Sequence, residues 1–232
     1  MHVPPPGRGL LVSVEGVSGT GKTYLTHRLL DDNPGIAADA VVIGEFSRRP
    51  PGGDLGHDLL HTLIDAAAGD PLLRGGRPAA ETLMLLAIKA HDYEAHCLPA
   101  LAQGRIVLEG RSLHCVAVYQ ALILHPEDDG QALAEMLAIL NTAARWRPLP
   151  DLTFLVTDDP AEAAGRAEQR DGRSFGTEYR HAHHRAAALY DQAAAYAPGS
   201  ITVIDRREIG TSDAIRLMRT RISECQQAPA AR

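Results

Sequence analysis

Gly16-Val17-Ser18-Gly19-Thr20-Gly21-Lys22-Thr23 matches the pattern G-x-x-x-x-G-K-[ST]. It follows the apolar run 10–14, read as a strand, and opens a stretch of helical character over 22–30. That context separates the motif from an ordinary glycine-rich turn. Glycines let successive backbone N–H groups curl around an anion, and the dipole of the helix that follows favours negative charge. Gly16, Ser18, Gly19, Thr20, Gly21, Lys22 and Thr23 are therefore read as a phosphate cradle for ATP. In this reading Lys22 reaches the β- and γ-phosphates and the Thr23 hydroxyl ligates Mg²⁺.

The flanking sequence gives the cradle a fold. Short apolar runs at 10–14, 40–43, 105–108, 152–156 and 201–204 lack clean alternation, as strands buried on both faces do. Helical stretches at 22–30, 55–68, 79–102, 113–124, 131–144, 160–170, 178–197 and 212–223 lie between and after them. Alternation of this kind predicts an α/β fold, a mostly parallel sheet with helices on both faces. The 232 residues suit one domain over 9–224, between a leader at 1–8 and a tail at 225–232. With 45% hydrophobic residues the chain should be globular. A net charge of −6 argues against a general nucleic-acid binder. No apolar run approaches the length of a membrane span, and the opening MHVPPPGRG lacks the apolar core of a signal peptide. Cys97, Cys115 and Cys225 form no CxxC pair. A soluble, cytoplasmic protein with reduced thiols is the expectation.

Ligands of open α/β sheets sit beyond the carboxyl ends of the strands, and three carboxylates fall there. Glu15 ends the first strand, Glu45 lies just past the second and Glu109 ends the third. Glu109 emerges from a buried run, where a Mg²⁺ ligand or a general base would stand. Arg111, two residues on, is placed to clamp a phosphate or substrate oxygen. Downstream, Arg166, Arg170 and Arg173 surround a segment in which Asp171-Gly172 breaks the helix. Such a loop, about 166–176, is read as a lid whose arginines stabilise charge on the transferred phosphoryl group. The pairs and clusters His57/His61 and His181/His183/His184 have no completing carboxylate or cysteine nearby in sequence and are read as surface polarity.

In this order the pieces resemble the thymidylate kinase family of P-loop nucleoside and nucleotide kinases, over roughly 9–222. Arg49-Pro50-Pro51-Gly52-Gly53-Asp54-Leu55-Gly56 is similar to the family's R-E-P-G-G-T-P-L-G. Pro99-Ala100-Leu101-Ala102-Gln103-Gly104, Glu109-Gly110-Arg111 and Ala117-Val118-Tyr119-Gln120 follow its P-A-L-x-x-G, D-R-Y and A-Y-Q succession. Pro150-Asp151-Leu152-Thr153 and Asp159-Pro160 match its P-D-L-T and D-P ahead of the arginine lid. The resemblance implies a three-layer α/β/α fold with a five-stranded parallel sheet, an arginine-bearing lid, a homodimer, and an acceptor site drawn from Glu15, Arg49, Leu85, Lys89, Arg111, Tyr119 and Gln120.

Departures from the family bear on the acceptor. Ser18 stands where the family carries Asp, and Gly110-Arg111-Ser112 replaces D-R-Y. Leu85 replaces the Phe that stacks on thymine, and Lys89 the Arg that binds the acceptor phosphate. Glu109, Arg111 and Ser112 also resemble the E-R-S motif of the deoxynucleoside kinases, with Gly110 inserted, and Glu45 stands near the catalytic base of those enzymes. These departures shift the expectation toward a small-molecule kinase acting on the hydroxyl of a nucleoside or nucleoside-type metabolite. Thymidylate or another nucleoside monophosphate is the alternative acceptor, and an ATP-binding switch without turnover is the alternative of another class.

Overall fold

The computed structural model describes residues 8–44, 53–197 and 199–227. Glu45 and Arg49 lie outside the described residues. Five strands, β1 (Leu11–Glu15), β2 (Ala40–Ile43), β3 (Ile106–Gly110), β4 (Leu152–Thr157) and β5 (Ile201–Asp205), form one all-parallel sheet in the order β2-β3-β1-β4-β5. The central strand β1 pairs Val12 with Leu108 on one side and with Leu152 on the other. All five residues of β1 are buried, whereas β2 and β5 at the edges are partly open.

Successive strand residues point to opposite faces. On one face Val12, Val14, Leu108, Phe154 and Val156 join a core with Leu25 and Leu29 of α1 (Lys22–Asp31) and Met218 and Ile222 of α10 (Thr211–Gln227). On the other, Leu155 packs with α3 (Leu55–Ala67), α4 (Pro78–Asp92), α6 (Leu113–Leu124), α7 (Asp129–Ala143) and α9 (Thr177–Tyr196). Leu11 and Val107 meet Tyr93, Cys97 and Leu101 at a third cluster. Helix α8 (Pro160–Asp171) begins where Asp159 accepts hydrogen bonds from the amides of Ala161 and Glu162, and ends at Gly172 in the left-handed region.

The structure departs from the sequence reading in four places. The helix expected over 79–102 is interrupted. Between α4 and α5 (Leu98–Ala102) lies a π-helical turn, Tyr93–Cys97, in which Leu98 donates to Tyr93 O five residues back. Pro99 has no N–H, and its ring crowds the carbonyl four residues earlier, so the preceding turn widens. A short helix, α2 (Pro34–Asp39), was not expected; none of its residues is buried, so no apolar stripe marked it. Helix α10 continues through Gln227, past the start assigned to the tail. Arg8, assigned to the leader, is tied to Asp151 at 3.0 Å.

Candidate active site

Between β1 and α1 the backbone turns through Gly16 at φ +127° and Gly19 at φ +83°. Neither accommodates a side chain. A Cβ on Gly16 would stand 2.2 Å from Val156 O of β4, and one on Gly19 1.8 Å from Ala163 O of α8. The loop is thus pressed between the central sheet and the first turns of α8. Lys22 is buried at 6% exposure, and its Nζ donates to Val17 O at 2.7 Å, across the concavity of the loop. Thr20 Oγ1 donates to the same carbonyl at 3.1 Å. Thr23 is exposed on the first turn of α1.

A cavity of about 460 Å³ opens beside the loop, lined by Ser18, Leu85, Arg111, Tyr119, Gln120, Arg170 and Arg173, together with Phe175 and Tyr179. Six of the residues singled out in the sequence thus converge with Ser18 on one space. Gln120 is held by the Thr82 hydroxyl of α4 at 2.8 Å. Arg111 occupies the left-handed region at φ 61°, uncommon for a residue with a Cβ. The next residue holds it there: Ser112 N donates to the buried Glu15 Oε1 at 2.7 Å, and Arg111 N to Val14 O at 3.4 Å. The conformation turns the chain out of β3 and aims the guanidinium at the cavity, where Nη1 lies 3.7 Å from Cys115 Sγ. Glu15 Oε2 accepts from Tyr190 at 3.2 Å, and burial raises the Glu15 pKa, opposed by the Ser112 amide.

Glu109 is a correction to the sequence reading. It does not present an oxygen to the phosphate loop. It is fully buried, with Oε1 accepting from Lys89 Nζ at 3.0 Å and Arg147 Nη1 at 3.1 Å, and Oε2 from Arg147 Nη2 at 2.9 Å. Burial alone would raise its pKa; Lys89 and Arg147 outweigh that and hold it at about 2. Lys89 is itself only 1% exposed and pairs with Glu109. Buried Asp92 adds a second negative charge near Arg147, so two cations and two carboxylates share the interior. Arg147 was not singled out by sequence; an arginine in the turn Trp146-Arg147-Pro148 gives no sign of being buried.

The arginines read in the sequence as a lid lie on and just after α8, and two of them reach the loop. Arg166 Nε donates to Gly19 O at 2.9 Å and its guanidinium pairs with Asp158. Arg170 Nη2 donates to Ser18 Oγ at 3.2 Å and also pairs with Asp171. Arg173 stacks over Phe175 with 5.4 Å to the ring centroid, and Phe175 stacks on Tyr179 at 4.1 Å. Tyr179 in turn lies 5.9 Å from the ring of His183. His183 is 1% exposed with neither ring nitrogen hydrogen-bonded among the described residues, and burial, then Lys22, push its pKa down to about 4. The clue to this inward histidine was its place on the buried stripe His183, Ala186, Tyr190 and Ala193 of α9, rather than its histidine neighbours.

A sequence profile of the family described as Thymidylate kinase matches residues 14–212. A thymidylate kinase of Ruegeria pomeroyi is 34% identical over 168 residues, covering 72% of this chain and 71% of that protein. One from Bifidobacterium longum is 32% identical over 200 residues, 85% of this chain and 89% of that protein. Among solved structures, a thymidylate kinase from Ehrlichia chaffeensis superposes with a TM-score of 0.62 over 93% of this chain and 99% of its own. At 19% identity it shows likeness of fold alone.

Proposed function

The chain belongs to the thymidylate kinase family of P-loop phosphotransferases, and from that premise we propose that it transfers the γ-phosphate of ATP to the phosphate of a nucleoside monophosphate, with thymidylate the first candidate. The observation that carries the reading is the polarity of the cavity. Arg111, Arg170 and Arg173 line it. Among the described residues, every carboxylate at or beside it is already engaged: Asp70 with Arg74, Asp171 with Arg170, Glu109 with Lys89 and Arg147, and Glu15 with Ser112 N and Tyr190. A hydroxyl acceptor needs a base for its proton; a phosphate brings a negative oxygen of its own and seeks cations. Three arginines, with no unengaged base among the described residues, favour the phosphate.

Catalysis in this reading is positioning and charge stabilisation. The loop amides and Lys22 hold the β- and γ-phosphates of ATP, Arg111 orients the acceptor, and Arg166, Arg170 and Arg173 close from the lid side. Tyr119 and Gln120 line the acceptor end, where Leu85 supplies apolar contact without aromatic stacking. Thr23 fits Mg²⁺ through its exposed hydroxyl, whereas Glu109, enclosed by two cations, does not. Bound Mg²⁺ neutralises charge on the β- and γ-phosphates. A cytoplasmic homodimer belongs to the same reading, and among the described residues no helix is long and apolar enough to cross a membrane.

One observation favours a second reading, transfer to a nucleoside hydroxyl: Lys89, aligned with the family's phosphate-binding arginine, is tied to Glu109. The test is ADP release with ATP and Mg²⁺ across thymidylate, other nucleoside monophosphates and free nucleosides. Turnover with a monophosphate, lost in Lys22→Ala, is the expected result. Turnover confined to nucleosides would select the second reading, and ATP binding without any turnover would leave a switch.

A further inference from the structure

Asp54, ahead of α3, and His91 and His96, five residues apart at the end of α4 and just past it, converge outside the cavity. Asp54 is the residue ahead of α3, where its Oδ1 accepts from His57 N at 2.8 Å. That leaves Oδ2, which lies 3.4 Å from Nε2 of His91 and 3.4 Å from Nε2 of His96. Ligand atoms of the three residues all lie within 4.8 Å of one another. A tetrahedral ion with bonds of about 2.0–2.1 Å separates its ligand atoms by roughly 3.3–3.4 Å. The two nitrogen–oxygen spacings are those of tetrahedron edges.

Two further features shape the cluster. Residues five apart on a regular α-helix point about 140° away from each other. His91 and His96 nonetheless share a face, because the π-helical turn Tyr93–Cys97, which begins two residues after His91 and includes His96, widens the spiral. Gly56 supplies the room: a Cβ there would stand 2.6 Å from His91 Cδ2 and 3.4 Å from Asp54 Oδ1. Nε2 of His91 is buried, and among the described residues its contact with Asp54 Oδ2, at 3.4 Å, falls short of a well-formed hydrogen bond.

We propose that Asp54, His91 and His96 form a site for a Zn²⁺-class divalent transition ion, bound by two imidazoles and one carboxylate with a fourth position open to solvent. Imidazole with carboxylate is a Zn²⁺ donor set, and affinity for such sites rises along the first-row series toward Cu²⁺ and Zn²⁺ rather than toward Mg²⁺. The side chains of Asp54 and His96 are 38% and 43% exposed, which leaves the ion a path of entry. The ion clamps the start of α3 to the turn that ends α4, independently of the acceptor assigned above.

The test titrates tag-free, chelator-treated full chain with Zn²⁺ and with Co²⁺, whose visible spectrum reports tetrahedral nitrogen–oxygen coordination. One ion per chain with a dissociation constant at or below about 10 μM is expected. His91→Asn and His96→Asn should each weaken binding at least about tenfold, and the double variant should abolish it. Asp54→Asn keeps a helix-capping side chain while removing the charge, and should weaken binding with little change in the metal-free melting temperature. His181→Asn/His184→Asn should bind as the parent does. Zn²⁺ should raise the melting temperature of the parent and leave that of the double variant unmoved. Absence of binding in the parent, or binding unchanged in His91→Asn/His96→Asn, overturns the site.

Discussion

Glu109 stands at the end of a buried strand, where the electrostatic rules for an exposed carboxylate reverse. Its charge survives burial only because Lys89 and Arg147 surround it. Removing the negative member takes from two buried cations the carboxylate they share. Glu109→Gln should therefore lower unfolding free energy by about 3–5 kcal/mol, measured by urea denaturation. Lys89→Met with Glu109→Gln should not recover the loss, since Arg147 would still lack its two-point carboxylate partner, with Asp92 acting only from nearby. The strand and its terminal carboxylate were legible in Ile106-Val107-Leu108-Glu109; the partners were not. They lie 20 residues before and 38 after, and nothing local distinguishes a buried arginine from an exposed one. Arg111 shows the converse. Its place near the glycine-rich loop, on the cavity that Ser18 also lines, was legible, but not its left-handed backbone, which depends on Glu15 accepting from Ser112 N across the sheet.

At the scale of elements, the phosphate loop is fitted against the first turns of α8. Gly19→Ala places a methyl group against Ala163 O and opposes a φ of +83°, so the loop or the helix must shift. Arg166, whose Nε holds Gly19 O, shifts with it. ATP affinity should fall at least about tenfold, read by titration calorimetry, with Arg166→Ala giving a smaller loss. The five strands and most helices were legible because burial on both faces and 3.6-residue periodicity leave their mark in composition. The break in the helix expected over 79–102 was not, although Pro99 signalled it. A proline in a long apolar helical pattern marks a kink without saying how the turns before it rearrange, and the π-helical solution depends on packing of Tyr93 and Cys97 against the sheet.

For the molecule as a whole, buried ionisable groups set the response to acid. His183 and His114 are held neutral, with pKa values pushed down to about 4 by burial, aided by Lys22 and Arg147 respectively. In the unfolded chain both titrate near 6.5, so the unfolded state binds protons first. Stability should be full above pH 6.5 and fall between 6.5 and 4, by roughly tenfold in the folding constant per pH unit for each histidine. Glu109 adds a lower step. Its folded pKa of about 2 lies below the ordinary 4.5, so its contribution is present above 4.5 and is lost as pH falls toward 2. Denaturant midpoints measured from pH 8 to 3 should show the upper step, and His183→Leu should remove half of it while raising stability near neutrality. Replacing an unpartnered buried polar side chain by an apolar one removes a desolvation cost.

The central place of β1 has a consequence for synthesis. Leu11 N finds its acceptor, Asp151 Oδ2, 140 residues further along the chain, and both neighbours of β1 in the sheet, β3 and β4, are translated long after it. At roughly 5–20 residues per second a ribosome needs about 7–28 s to supply the second of them. For that interval the segment Leu11–Glu15, which ends with every residue buried, has neither hydrogen-bonding edge satisfied. The strand that seats the phosphate loop is thus the first made and among the last completed, and the nascent chain passes through a prolonged stage at which chaperone engagement competes with self-association.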